Sequence, residues 1–127
     1  MRSEQRKHDR FMAKENAFAA LGRNYTRVGK IKDISIGGLA FEYIRGKGLK
    51  EHVSKIDIFL VGTEFHLYKV PCKLIYNIDA YVPEINNKLV KIYTTKRCGI
   101  QFEKLSKDFE TLLKFFIKNH TIGSAPG

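Results

Sequence analysis

The sequence predicts a mostly-β domain that closes as a small barrel and carries one α-helix near its C-terminal end. Short runs of alternating apolar residues recur from Phe11 to Phe102. Turn-forming residues separate them at the spacing expected of a closed or nearly closed sheet. After Ser106 the apolar period lengthens to that of a helix.

Taken in order, residues 1–10 are polar and charged with no apolar period, which predicts an extended arm. Strands are expected at 16–21 and 24–32 around the Gly22–Arg23 turn, and at 38–44, where Leu39, Phe41 and Tyr43 alternate with Ala40, Glu42 and Ile44. The runs 55–61 and 64–70 flank Gly62–Thr63 and predict a hairpin. Pro71 has no N–H for a ladder, so it marks an edge or a bulge before the run 72–78. Pro83 and Asn86–Asn87 place a loop over 79–88, and 89–95 and 97–103 supply the last strands. Phe109, Leu112, Leu113, Phe116 and Ile117 then form one helical stripe. Ser106 is the expected N-cap, Asp108 and Glu110 suit the first turn, and Gly123 is the expected stop. The division that results is an arm over 1–12, a barrel plus helix over 13–120, and a flexible tail over 121–127 that contains GSAPG.

The 127 residues are the length of one ordinary domain, with 43% hydrophobic content, enough for a single core. No apolar run approaches the roughly 18 residues that span a bilayer, and the N-terminal stretch has no apolar block of a secretory signal. The expected compartment is the cytosol. Cys72 and Cys98 stand 26 positions apart in no metal-binding or redox spacing, so both are read as buried, reduced thiols. The formal net charge is +10, and residues 1–32 hold nine Lys and Arg against three acidic residues. Most of the excess charge therefore sits at the N-terminal quarter, which should face an anion.

Two motifs carry chemistry. Arg6 and Arg10 stand four apart on the arm, and Asp33-Ile34-Ser35-Ile36-Gly37-Gly38 forms a polar turn between strand-like runs. An arginine is a planar fork of donors that pairs bidentately with a phosphate or with guanine O6 and N7. An ionised aspartate is acceptor-only and matches guanine's N1–H and 2-amino donors, whereas adenine presents an acceptor at N1.

The pair RxxxR (Arg6, Arg10) and DxSxxG (Asp33, Ser35, Gly38) resembles the signature of the PilZ domain family, receptors for the bacterial messenger cyclic di-GMP. Phe11 after the second arginine, LAF at 39–41, and CGIQF at 98–102 ahead of a final helix extend the likeness over most of the chain. The resemblance implies a six-stranded antiparallel β-barrel with a C-terminal α-helix. It implies cyclic di-GMP as ligand, with Arg6 and Arg10 clamping phosphates and base edges. Asp33 would then select guanine, Ser35 bond a phosphate or base, and Gly38, helped by Gly37, allow a tight turn and close approach. Many members carry another arginine directly before RxxxR; this chain has Gln5 there, which leans toward one ligand molecule per domain. Lys7, His8, Arg23 and Arg27 are read as solvated positions that add field strength.

The function expected is a single-domain, bacterial receptor or adaptor that orders its arginine arm on ligand and signals to a downstream protein, with motility, pilus or exopolysaccharide machinery as possible outputs. No DNA partner, membrane span, metal or cofactor is expected. Catalysis is not expected either: the four histidines are scattered, and GxSxG, P-loop and HExxH patterns are absent. Two alternatives remain. A small basic barrel could bind single-stranded nucleic acid through aromatics near Tyr25–Arg27 and Tyr93–Lys96. A PilZ-fold module could also bind protein without nucleotide.

Overall fold

The computed structural model describes residues 8–22, 27–44, 53–79 and 95–125. Its elements in chain order are β1 (Phe11–Ala13), β2 (Ala17–Leu21), β3 (Arg27–Ser35), β4 (Gly38–Ile44), β5 (Lys55–Leu60), β6 (His66–Asp79), β7 (Thr95–Phe102), α1 (Lys107–Asn119) and β8 (Thr121–Ser124). All pairings are antiparallel, in the order β2-β5-β6-β7-β4-β3-β1-β8, and β2 also pairs with β3. That extra pairing closes β2 to β7 into a six-stranded barrel and leaves β1 and β8 as a short extension beside β3.

Closure follows from residue size as well as alternation. β2 turns Ala17, Ala19 and Leu21 inward, all fully buried, and leaves Phe18 half-buried on the outer wall. Two inward methyls in one strand make room for Phe41, Ile31, Ile56 and Ile58, which fill the barrel. The barrel has few unpaired edges to protect, since each of its six strands has a neighbour on both sides.

The long strand β6 replaces the two separate strands expected around Pro71. Its bend lies at Lys69, where φ is +53°, and the β5–β6 register slips between Ile56 and Ile58. The Lys69 N–H there donates to the buried Asp57 carboxylate at 3.0 Å. The extra residue shifts the inward phase from Leu67 to Val70 and Cys72. Pro71 sits where β6 exchanges one neighbour for another: Lys55 of β5 lies opposite it, and Phe102 of β7 lies opposite Cys72. Its carbonyl accepts from Glu103 N–H at 2.9 Å, so the missing donor falls at a seam.

Ser106 caps α1 as expected, its hydroxyl accepting from Phe109 N–H at 3.2 Å. Leu113 and Phe116 enter the core, with Phe109 and Ile117 beside them. The stripe is narrower than its sequence pattern, because Leu112 is exposed. The helix stops at Asn119 with His120 as C-cap, ahead of Gly123. Residues 121–124, read as tail, form β8 against β1, and Phe11 and Met12, read as arm, belong to β1. The expected strand at 89–95 lies outside the described residues except for Thr95.

Both cysteines are buried and free. Burial, with a smaller contribution from Glu103, pushes the Cys72 thiol up to about 12. Burial also raises Cys98. Among the described residues no helix is long and apolar enough to cross a membrane.

Phe116 is the helix's largest anchor in the barrel. Phe116→Ala should cost about 3–5 kcal/mol of folding stability, measured by urea denaturation. A loss below about 1 kcal/mol would mean that α1 is not part of the core.

Candidate functional site

The polar turn is a hairpin. Ser35 and Gly38 are cross-strand partners, and Ile36–Gly37 bridge them. The Ser35 hydroxyl accepts from Gly37 N–H at 3.1 Å and Gly38 N–H at 3.2 Å, which ties the turn to its own first strand. This serine is buried, and its hydroxyl is largely committed to the turn.

Gly38 is required by packing rather than by turn conformation. A Cβ there would lie 2.1 Å from the Ile100 carbonyl oxygen of β7. A Cβ on Gly37 would lie 2.6 Å from the imidazole of His8. The two glycines thus let one hairpin sit close to a strand on one side and to the arm on the other.

Asp33 lies two residues before the turn and is buried in the barrel wall. Its Oδ1 accepts from Arg10 Nη1 at 3.2 Å, and its Oδ2 accepts from Arg97 Nη2 at 3.3 Å. Arg97 also lies 3.8 Å from Glu42, its cross-strand partner. One carboxylate therefore joins a guanidinium from the arm to one from β7. Both arginines stay about one-third exposed, at 34% and 36% of their side chains. Each retains donors beyond those used on Asp33.

Arg10, Ser35 and Gly38 line a cleft of about 580 Å³, together with Tyr76, Gln101 and Lys104. That volume lies within the roughly 300–1,000 Å³ usual for small-molecule sites. The ring of Tyr76 lies across Gly99, where a Cβ would come within 2.0 Å of it. His8, exposed as expected, also lines the cleft and lies close to Gly37.

Of the five expected site residues, four are brought together: Arg10 with Asp33 by an ion pair, and Ser35 with Gly38 by the turn. Arg6 lies outside the described residues, as do Lys7 and Arg23. Arg97 was not anticipated. Its signal in the sequence was its phase, one position before the inward Cys98 and hence on the outer face with Glu42.

A second aromatic feature lies on the opposite flank. Phe18, Phe59 and His66 are cross-strand neighbours, and Tyr68 stacks on His66 at 3.7 Å with the rings 6° apart. The column ends at Tyr68, which is exposed. Tyr25 and Tyr93, named for a nucleic-acid surface, lie outside the described residues. Among the described residues no group of three or more His, Cys, Asp or Glu could hold a metal.

A closed six-stranded antiparallel barrel with a C-terminal helix packed on its core is the fold of PilZ domains. The chain is similar to the PilZ domain of YcgR from Escherichia coli with c-di-GMP, at 17% identity and a TM-score of 0.65, over 92% of each chain. It is also similar to the K. pneumonia MrkH–c-di-GMP complex, at 17% identity and a TM-score of 0.66, covering 92% of this chain and 52% of that one. It thus spans about half the length of the MrkH chain and 45% of a longer YcgR chain with c-di-GMP. MrkH is a c-di-GMP-dependent transcription regulatory factor, so the expectation of no DNA partner gains no support here. No family model and no curated protein matches the chain in sequence.

Gly38→Ala should destabilise the barrel by about 1–3 kcal/mol, because the new methyl meets a backbone oxygen that cannot rotate away. Thermal unfolding checks this. A midpoint equal to wild type would show that the β4–β7 contact is looser than described.

Proposed function

We propose that this chain is a receptor for cyclic di-GMP, held by Arg6, Arg10, Asp33, Ser35 and Gly38, with Arg97 as a further contributor. The observation that carries this reading is the Arg10–Asp33 ion pair at 3.2 Å. It joins two motifs 23 residues apart beside a cleft that Arg10, Ser35 and Gly38 line. The fold shared with two c-di-GMP-bound structures adds support.

The chemistry fits two phosphates and two guanines. Arg10 uses one donor on Asp33 and turns the rest of its fork to the ligand. A guanidinium reads the acceptor pair O6 and N7 of guanine and is repelled by the 6-amino donor of adenine. Asp33 has two roles in this reading. It fixes the direction of both forks, and its remaining lone pairs meet guanine's N1–H and amino group. Ser35 acts through the hairpin it ties, and Gly38 through the room it leaves. Arg6 enters by spacing alone, four residues before Arg10 on the arm.

The role is binding rather than catalysis. Arg6 closing over the ligand would present an arm-plus-ligand face to a downstream protein, as an adaptor does. Single-stranded nucleic acid is the weaker alternative, since it leaves the meeting of Arg10 and Asp33 from two separate motifs unexplained.

Calorimetric titration with cyclic di-GMP should give saturable binding with one molecule per domain, weaker for the adenine analogue. Arg10→Ala should weaken it roughly tenfold to 150-fold, the loss of a charge-assisted bond. The affinity should also fall only shallowly with salt, as expected for a ligand with two phosphates. Absence of binding, or equal affinity for the two analogues, would overturn the proposal.

A further inference from the structure

Strand β8 contributes nothing to the lining of the cleft, yet its contacts converge on the residue that carries the site's arm-side charge. The Ala125 N–H donates to the Arg10 carbonyl at 2.9 Å. Ser124 lies opposite Phe11, and Thr121 lies opposite Ala13. Just past β1, Lys14 N–H donates to the His120 carbonyl at 3.3 Å, and Lys14 Nζ donates to the Asn119 carbonyl at 3.1 Å.

β1 needs this second neighbour. It is three residues long and meets β3 only through Phe11 opposite Ile34 and Met12 opposite Asp33. So short a strand with one partner is marginal in water. β8 in turn is tied to the core. Thr121 Oγ1 donates to the Ile117 carbonyl at 2.7 Å, and α1 is anchored by Leu113 and Phe116. The β1–β8 register slips between Phe11 and Ala13. Gly123 lies in the slipped segment with φ at +134°, a conformation other residues rarely adopt.

We propose that residues 121–125 are a positioning strap for Arg10. The strap holds the backbone of β1 so that the guanidinium stays on Asp33 and over the cleft, and it thereby sets the affinity for cyclic di-GMP without touching the ligand. Because such coupling is reciprocal, bound ligand tightens the strap. Occupancy of the cleft is then readable at the C-terminal strand as well as at the arm. This rests on the ligand reading given above.

The test uses the full chain with Ala125→Pro, which deletes the N–H that donates to the Arg10 carbonyl while leaving a strand-compatible backbone. Gly123→Ala strains the same strap in open space, since no atom lies within 4 Å of its added Cβ. Ala125→Gly keeps the donor and serves as control. Titration with cyclic di-GMP should show Ala125→Pro and Gly123→Ala binding about fivefold more weakly, as one lost hydrogen bond gives, and Ala125→Gly within twofold of wild type. Amide exchange at Phe11–Ala13 should quicken in both weakened variants without ligand. In wild type, saturating cyclic di-GMP should slow exchange at residues 121–125.

Wild-type affinity in Ala125→Pro, or C-terminal exchange indifferent to ligand, overturns the strap. Should wild type bind no cyclic di-GMP, the ligand reading fails separately. Exchange at Phe11–Ala13 then decides the strap's mechanical part: faster exchange in Ala125→Pro upholds it, and unchanged exchange removes it.

Discussion

A single carboxylate organises the site. Asp33 is 7% exposed in the wall of the barrel, where an unpaired negative charge would be costly. It is stabilised by two guanidinium groups that come from opposite ends of the chain, Arg10 on one oxygen and Arg97 on the other. The dependence runs both ways. Without Asp33 the two cations would repel each other, and without the arginines the carboxylate would be stranded. Of the three members Arg10 lines the cleft, so the bridge fixes where that guanidinium sits on the rim.

Three local devices do that holding. The Ser35 hydroxyl ties the hairpin that begins two residues after Asp33. Gly38 and Gly37 remove the methyl groups that would push the hairpin from β7 and from His8. On the arm side, β1 lies between β3 and β8, so Arg10 is carried on paired backbone. The Arg10 and Arg97 guanidinium groups are thereby held on Asp33 by paired backbone and ion pairs.

Much of this was legible in the residues. β4 begins and ends where alternation placed it, because Leu39, Phe41 and Tyr43 mark one face without interruption. The helix and its Ser106 cap follow from local chemistry alone, and the two motifs to which Arg10 and Asp33 belong stood out in the sequence, though their ion pair did not. Other features were not legible, for identifiable reasons. The bend at Lys69 has no sequence mark, since lysine has no preference for positive φ and Pro71 drew the break toward itself. β8 reads as a tail because Thr-Ile-Gly-Ser acquires strand character only from its partner β1. Arg97 is one cation among 23 Lys and Arg, and its carboxylate partner lies 64 residues earlier. Leu112 fits the helical stripe by spacing, yet the barrel's curvature reaches only Leu113 and Phe116 fully.

The most direct test of the bridge is to follow the side-chain Nε–H signals of Arg10 and Arg97 by nitrogen-15 NMR as cyclic di-GMP is added. If Asp33 aims both forks at one ligand, both signals should shift together and reach their end points at the same ligand concentration, with Asp33→Asn abolishing the concerted change. Signals that stay in place while the ligand binds, or that move independently of each other, would contradict a shared site built on this carboxylate.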